Sequence, residues 1–433
     1  MSLKQTRCAA VAATLTLLSP TFATAADNDA SVAIEWNQTL QANIGGTGGP
    51  LATRWYASMH IAMFDAVNSI TREYTPFRAS VPASSGASQK AAAAQAAYEV
   101  IWTLMGGQPT QNTAREAFDK LLAAQLAGIA PGPRGQGIAV GHAAAVKILE
   151  WRLADGATTP GPAYTLPLIA GLWQSTGAPA ALTHVPAVLP FTLKTNTQFL
   201  PRRFPEINTA AYAEDYNEVL LIGRDTSGTR TAEQTQTAKL WAGGEITSTN
   251  IFSLWNNVVR DVALAEHMTL VQAARQYAMT NALLADALIT SQSGKFIYGL
   301  WRPVTAITSL LDDLNAGTTR DETWKPLIAT PPYPTYPGNM ACVGAAAARS
   351  LELGLGLDPD KTHDYTYHVA ATWKGANGFA DVTRHFASFW TMAQQEADSR
   401  IYAGIHFRFD NEASQEYCPK VADQAFATVA RPR

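Results

Sequence analysis

Apolar residues recur every three to four positions along most of the chain, the spacing that places them on one face of a helix. The clearest stripe runs from Trp55 to Ile70. The same spacing predicts helices over residues 91–105, 115–125, 135–152, 210–222, 233–241, 262–292 with an internal break, 343–354 and 388–400. Strand-like alternation is scarce. The pattern therefore predicts an all-α protein.

A proline-rich stretch separates the early helices from the later ones. Prolines recur from Pro160 to Pro201 within residues 155–205, where helical periodicity is lost. A connection of this length without helices is unusual, so we expect it to pack against the helices and to have a role. The helices on its two sides are candidates for two bundles.

The N-terminus has the pattern of a signal peptide. Lys4 and Arg7 precede an apolar run from Cys8 to Leu18, and Ala23-Thr24-Ala25 fits a cleavage motif. We predict a signal peptide over residues 1–25 and a secreted or periplasmic protein. The run is too short to span a bilayer, and no later stretch is apolar over the ~20 residues that a membrane helix needs. An integral membrane protein is therefore not expected.

Composition excludes one class of partner and suggests one crosslink. The 433 residues are 47% apolar and 15% charged, with a formal net charge of −3. Without a basic cluster, nucleic-acid binding is not expected. Cys8 leaves with the signal peptide, so Cys342 and Cys418 remain, and in an oxidising compartment they are predicted to form a disulfide.

Two short segments carry the chemistry of an oxyanion site. The first holds Arg400, His406 and Asp410. His406 and Asp410 are four residues apart, so on a helix they share a face. The carboxylate can then hold one imidazole nitrogen and leave the other free as a ligand or nucleophile. Arg400 offers a bidentate donor for a tetrahedral oxyanion.

The second segment adds two cations. Lys295 and Arg302 are seven positions apart, about two helical turns, so both can lie on one helix face. Pro303 would end or kink that helix. Three cations and an oriented histidine indicate a pocket for phosphate or a phosphate-shaped anion such as vanadate.

These segments resemble two motifs of the vanadium-dependent haloperoxidases and their relatives, the type 2 phosphatidic acid phosphatases and bacterial acid phosphatases. The first motif is matched by Lys295, Arg302 and Pro303, and the third by Ser399, Arg400, Gly404, His406 and Asp410. Residues 54–68 also resemble an early helix of bacterial haloperoxidase-like proteins. The resemblance implies two bundles packed as one unit, residues 26–230 and 231–433, with the anion pocket in the C-terminal bundle.

The middle motif departs from the family. Relatives read Pro-Ser-Gly-His, whereas Pro331–Pro337 leads here into Gly338, Asn339 and Met340. In that register Gly338 replaces the serine, Asn339 the glycine and Met340 the acid–base histidine. Backbone N–H groups of Gly338 and Asn339, with the Asn339 side-chain amide, are expected to donate to the anion. Met340 has no titratable proton, and general acid catalysis contributes about 10²–10⁴-fold.

Three functions stay open. The resemblance implies a vanadium-dependent peroxidase that binds vanadate through His406 Nε2 and oxidises a halide or an electron-rich organic substrate with hydrogen peroxide. It equally implies a phosphoric-ester hydrolase in which His406 attacks phosphorus. A weakened oxyanion-binding protein is the third. The peroxidase is favoured because the overall likeness is to the soluble haloperoxidase-like branch, and solvent replaces a proton donor more easily in oxidation than in ester hydrolysis.

Two further polar residues have alternative interpretations. His385 lies fifteen residues before Arg400 and could supply the missing base, although a surface histidine is the commoner outcome. Asp286 lies alone in an apolar helical run. It could orient a pocket arginine or be exposed.

Overall fold

Helices dominate the structure, a computed structural model that describes residues 27–44, 49–106, 111–357 and 367–433. The predicted signal peptide lies outside these ranges. The described helices are α1 Ser31–Asn43, α2 Gly49–Thr71, α3 Gln89–Leu104, α4 Gln111–Leu126, α5 Pro131–Arg152, α6 Ala210–Ile222, α7 Ala232–Ala242, α8 Ile251–Ala265, α9 Leu270–Tyr298, α10 Pro303–Thr308, α11 Asn339–Gly354, α12 Phe389–Tyr402 and α13 Arg408–Thr428. Strands β1 Val369–Trp373 and β2 Val382–Phe386 pair antiparallel. The predicted all-α class is confirmed, with one small two-stranded sheet added.

Helix α9 is the centre of the fold. It is buried without interruption from Ala273 to Lys295 and packs on α2 at one side and on α11 at the other. One large hydrophobic core therefore runs from α1 and α2 through α9 to α11 and α13. The division into bundles at residues 230 and 231 stays a prediction. In the described part of the chain, no helix is long and apolar enough to cross a membrane.

Helix α9 ends earlier than the spacing of Lys295 and Arg302 suggested. Gly299 follows the helix with φ +62°, the left-handed conformation that commonly stops an α-helix. Lys295 therefore lies in the last turn of α9, whereas Arg302 lies beyond it, in extended backbone before α10. The prediction that both share one helix face is wrong, because the glycine breaks the helix between them.

The proline-rich connection packs along α9. Asp286 of α9 accepts the backbone N–H groups of Phe191 and Thr192, each at 2.7 Å. Further along, Trp173 N–H donates to the Gly299 carbonyl oxygen at 2.7 Å. Asp286 thus anchors the connection, and both predicted alternatives, a partner for a pocket arginine and an exposed residue, are wrong.

A disulfide joins the two helices that carry the later motifs. Cys342 of α11 and Cys418 of α13 are bonded, with their Cα atoms 5.3 Å apart. The predicted pairing is therefore present in the structure. It ties the helix that follows the Pro331–Pro337 loop to the helix that follows His406.

Candidate oxyanion site

His406 lies in a short turn between α12 and α13. Gly404 in this turn has φ +77°, and a Cβ there would come within 2.3 Å of the Gly223 carbonyl oxygen, so only glycine fits. His406 precedes α13, while Asp410 lies in its first turn. The expectation that the two share a helix face is wrong. They meet because the chain turns into the helix between them.

One oxygen of Asp410 orients the His406 ring. Asp410 Oδ2 lies 2.8 Å from His406 Nδ1 and accepts the Phe407 N–H at 3.1 Å. Thr335 Oγ1 donates to the same oxygen at 2.5 Å and lies 3.2 Å from Nδ1. Because Nδ1–H donates to the carboxylate, Nε2 carries the lone pair and is the atom available as a ligand or nucleophile.

Lys295 is hydrogen-bonded to the Pro331–Pro337 loop, next to His406. Its Nζ donates to the carbonyl oxygens of Thr335 and Pro337, each at 2.5 Å. The Tyr333 ring centroid in the same loop lies 5.5 Å from Nζ. Lys295 is fully buried, so solvent screens its positive charge little.

Arg302 contacts the imidazole directly. Its Nη1 lies 3.1 Å from His406 Nε2 and donates to the Ile405 carbonyl oxygen at 2.7 Å. Its Nε donates to the Tyr333 carbonyl oxygen, also at 2.7 Å. Arg302 Nη2 is buried and has no hydrogen-bond partner among the residues that the structure describes.

Arg400 adds a third cation and a second unpartnered donor. Its Nε is buried without a partner in the described ranges, and its charge acts on His406, Lys295 and Arg302. Leaving buried charged donors unbonded is costly. An anion that reached these two guanidinium groups would complete their hydrogen bonding. The donor set, three cations beside one imidazole lone pair, fits a tetrahedral oxyanion such as phosphate or vanadate.

Burial and neighbouring charges set the protonation of the site. Burial, then Arg302, Lys295 and Arg400, holds the pKa of His406 well below its usual range, so the imidazole is neutral at neutral pH. Burial, with Arg302 next, also lowers the pKa of Lys295. Burial raises the pKa of Asp410 to about 7, although the Thr335 hydrogen bond opposes that shift. An added anion would favour the charged forms of the cations.

The backbone N–H of Gly338 is hydrogen-bonded to Asp410. It donates to the Asp410 carbonyl oxygen at 2.9 Å and would have to leave this partner to reach an anion, so its anion-binding role stays a prediction. A Cβ at Gly338 would lie 2.5 Å from Asn411 Oδ1, so the serine of the family motif would require the Asn411 side chain to shift.

Asn339 begins α11 and is buried. Its Nδ2 donates to Gln292 Oε1 at 2.9 Å, while its Oδ1 has no partner among the described residues. Donation from Asn339 to an anion stays a prediction.

Met340 and His385 offer no visible replacement base. Met340 is half-buried on α11 and packs against the main core. Its assignment to the lost acid–base position stays a prediction. His385 is exposed on β2, opposite Ala370 of β1, which agrees with the surface interpretation.

Sequence reasoning missed Thr335 and Tyr333. Both lie in the Pro331–Pro337 segment, which the sequence predicts only as a loop. The available signal was weak: one threonine and two tyrosines among prolines. Their roles depend on Lys295 and Arg302 binding that loop from elsewhere in the chain.

Comparisons with known proteins give the family of this region. Residues 275–433, which include every site residue described above, match the family model described as VCPO second helical-bundle domain. Vanadium chloroperoxidase from Curvularia inaequalis is 23% identical over 37% of this chain and 33% of that protein. The chain thus spans about a third of the length of this curated relative. The resemblance deduced from the motifs is confirmed.

Solved structures show the fold over nearly the whole chain. A bacterial vanadium-dependent iodoperoxidase superposes with a TM-score of 0.72 at 21% identity, covering 92% of this chain and 95% of that one. A bacterial vanadium-dependent chloroperoxidase in its holo form gives 0.67 at 16% identity, covering 91% and 96%. The fold is that of the vanadium haloperoxidases.

Proposed function

We propose that this chain, a relative of the vanadium haloperoxidases, is a secreted peroxidase-type enzyme that holds vanadate on His406. One observation carries the proposal. Arg302 and Arg400, whose charges act on a neutral, oriented imidazole, each have a buried nitrogen without a partner in the described part of the chain, Arg302 Nη2 and Arg400 Nε. This combination suits an oxyanion that also takes a nitrogen ligand.

Each residue of the site has a separate task in this proposal. Lys295, Arg302 and Arg400 would balance the negative charge on the vanadate oxygens. Asp410 and Thr335 hold His406 Nδ1, so that Nε2 presents its lone pair. Arg302 Nη1 donates a hydrogen bond to that lone pair in the structure, and it would have to donate to an oxygen of the anion instead when vanadate binds. Bound vanadate supplies Lewis-acid activation of hydrogen peroxide, with which a halide or an electron-rich organic substrate is oxidised.

Proton handling is the unusual part of the proposed reaction. The thioether of Met340 neither gives nor takes a proton. Tyr333, Met340 and Arg400 are partly exposed whereas His406 is buried, so we expect solvent contact at the outer side of the site. Solvent can therefore take the protons that a histidine would otherwise accept, at a cost in rate.

Secretion belongs to the same proposal. The N-terminal segment has the charge and apolar pattern of a signal peptide. The Cys342–Cys418 disulfide agrees with an oxidising compartment, because such bonds persist there.

One observation also favours the hydrolase alternative. Once Arg302 Nη1 has moved away, a neutral histidine whose Nε2 carries the lone pair is a competent nucleophile for phosphorus as well as a metal ligand. Hydrolysis then needs an acid for the leaving alcohol, and Met340 provides none. A hydrolase of this kind would accept only esters with good leaving groups, and a protein that binds without turnover is the third outcome.

Parallel assays on one preparation distinguish these functions. Bromide oxidation by hydrogen peroxide, dependent on added vanadate, supports the peroxidase. Vanadate-independent hydrolysis of p-nitrophenyl phosphate, with phosphohistidine trapped at His406, would establish the hydrolase and refute the proposal. Tight vanadate binding with neither activity would show that the protein binds oxyanions without turnover, and would refute the proposed peroxidase.

A further inference from the structure

Glu396 is a buried carboxyl group that the proposed reaction does not use. It lies on α12, one helical turn before Arg400, and is completely buried. Trp255 Nε1 of α8 donates to its Oε2 at 2.9 Å. Its Oε1 has no hydrogen-bond partner among the described residues. An ionised carboxylate with one donor in such a place would be poorly stabilised.

A glycine on the neighbouring helix α11 leaves the space that the Glu396 carboxyl group occupies. A Cβ at Gly344 of α11 would lie 2.6 Å from Glu396 Oε2, so a side chain there would collide with it. Gly344 is one turn after Met340 on the same helix, which puts Glu396 beneath the turn that carries the altered motif. Trp255 of α8 and Gly344 of α11 thus lie next to Glu396, and Arg400, on the same helix as Glu396, is the charged residue among the three.

Glu396 and Arg400 form no ion pair, although their spacing allows one. A glutamate four residues before an arginine on a helix normally favours such a pair. Here Glu396 Oε1 and Arg400 Nε are both without partners in the described ranges, while their charges act on each other. Burial also raises the pKa of Glu396 well above its usual range. A neutral Glu396 leaves the charge of Arg400 available to an anion, whereas an ionised one would neutralise it.

We propose that Glu396 is a positioning residue that stays a neutral acid while Arg400 holds the oxyanion, so that anion binding is linked to proton uptake at Glu396. The proposal rests on the oxyanion site of the proposed function, but it concerns affinity and not turnover. Ionisation of Glu396 adds negative charge beside the site and weakens anion binding. Affinity relative to a permanently neutral variant should therefore fall as pH rises through the pKa of Glu396.

The test measures phosphate and vanadate dissociation constants by calorimetry from pH 5.5 to 9 in wild type and in Glu396→Gln. The titration of the anion itself cancels in the ratio of the two affinities. We expect Glu396→Gln to match wild type at low pH and to bind about tenfold more tightly at high pH. At high pH, where Glu396 is ionised in the free protein, titrations in two buffers of different ionisation enthalpy should show up to one more proton taken up by wild type than by Glu396→Gln.

Two further variants separate this role from a structural one. Trp255→Phe removes the donor that favours the ionised carboxyl, so the loss of affinity should move to higher pH. Glu352→Gln changes another fully buried glutamate, on α11, and should leave the pH profile unchanged. A ratio that stays at one across the pH range, or equal proton uptake in both proteins, would overturn the proposal while leaving the proposed function intact. Wild-type protein that binds neither anion would overturn both.

Discussion

Nδ1 of His406 lies 2.8 Å from Oδ2 of Asp410, and the same oxygen accepts the N–H of Phe407. A single carboxylate oxygen thus caps the start of α13 and orients the imidazole. The orientation of the ring is therefore tied to the geometry of the first turn of α13. Changes to this carboxylate should affect the histidine before they affect the helix.

Asp410→Asn should weaken vanadate binding by about 10–100-fold, the usual effect of losing a group that orients a metal-binding histidine. An amide can present N–H to Nδ1 and so turn the lone pair away from Nε2. Titration of the variant with vanadate measures the loss. Asp215→Asn is the matched control, because Asp215 accepts the neighbouring Phe409 N–H at 2.8 Å. Equal affinity losses in the two variants would contradict a specific role for Asp410.

Thr335→Val should weaken vanadate binding about tenfold, since it removes a hydrogen bond to a carboxylate while nearly keeping the side-chain volume. Thr335→Ser retains the hydroxyl and its hydrogen bond, so its vanadate affinity should stay within about twofold of wild type. The comparison uses vanadate titrations at one pH. Were serine and valine to behave alike, the Thr335 hydroxyl would have no part in orienting the site.

Met340→His should raise turnover by about tenfold or more, because it restores a general acid–base group at the start of α11. Initial rates of bromide oxidation and of p-nitrophenyl phosphate hydrolysis show which reaction gains. Met340→Gln, polar but not titratable, is the control. If the histidine variant gained nothing in either assay, the register that places Met340 at the lost position would be wrong.

Removing the Cys342–Cys418 bridge should lower the free energy of unfolding by about 4 kcal/mol in the chain-entropy model, since the two cysteines are 76 residues apart. Urea unfolding of the double variant Cys342→Ala/Cys418→Ala, beside wild type with and without reductant, measures it. Reduced wild type should unfold at nearly the same urea concentration as the variant. A variant as stable as the oxidised wild type would show that the bridge contributes nothing.

The residues of the candidate site could be named from the sequence, but the way in which they contact one another could not be predicted from it. Lys295, Arg302, His406 and Asp410 could be named from spacing and resemblance because each is a chemically distinctive residue. Their predicted helix faces were wrong, because α9 ends at Gly299 before Arg302 is reached, and α13 begins only at Arg408, after His406. Periodicity reports where a helix runs, but it does not report where a glycine turns the chain.

Other features of the site depend on contacts between distant segments and have no local signal. Thr335 reaches Asp410 across 75 positions, and Trp255 reaches Glu396 across 141. The role of Gly338 likewise follows from the Asp410 carbonyl and Asn411, which only the folded chain brings near it. Tertiary packing decides these contacts, so a single sequence could not reveal them.

Vanadate titration of the mature protein, with bromide oxidation by hydrogen peroxide followed in the same sample, tests the central claim most directly. His406→Ala is the control, because it removes the proposed ligand and leaves the three cations in place. We expect saturable binding and vanadate-dependent oxidation in wild type, and loss of both in the variant. Oxidation that persists in His406→Ala, or a wild type that neither binds vanadate nor oxidises bromide, would contradict the claim.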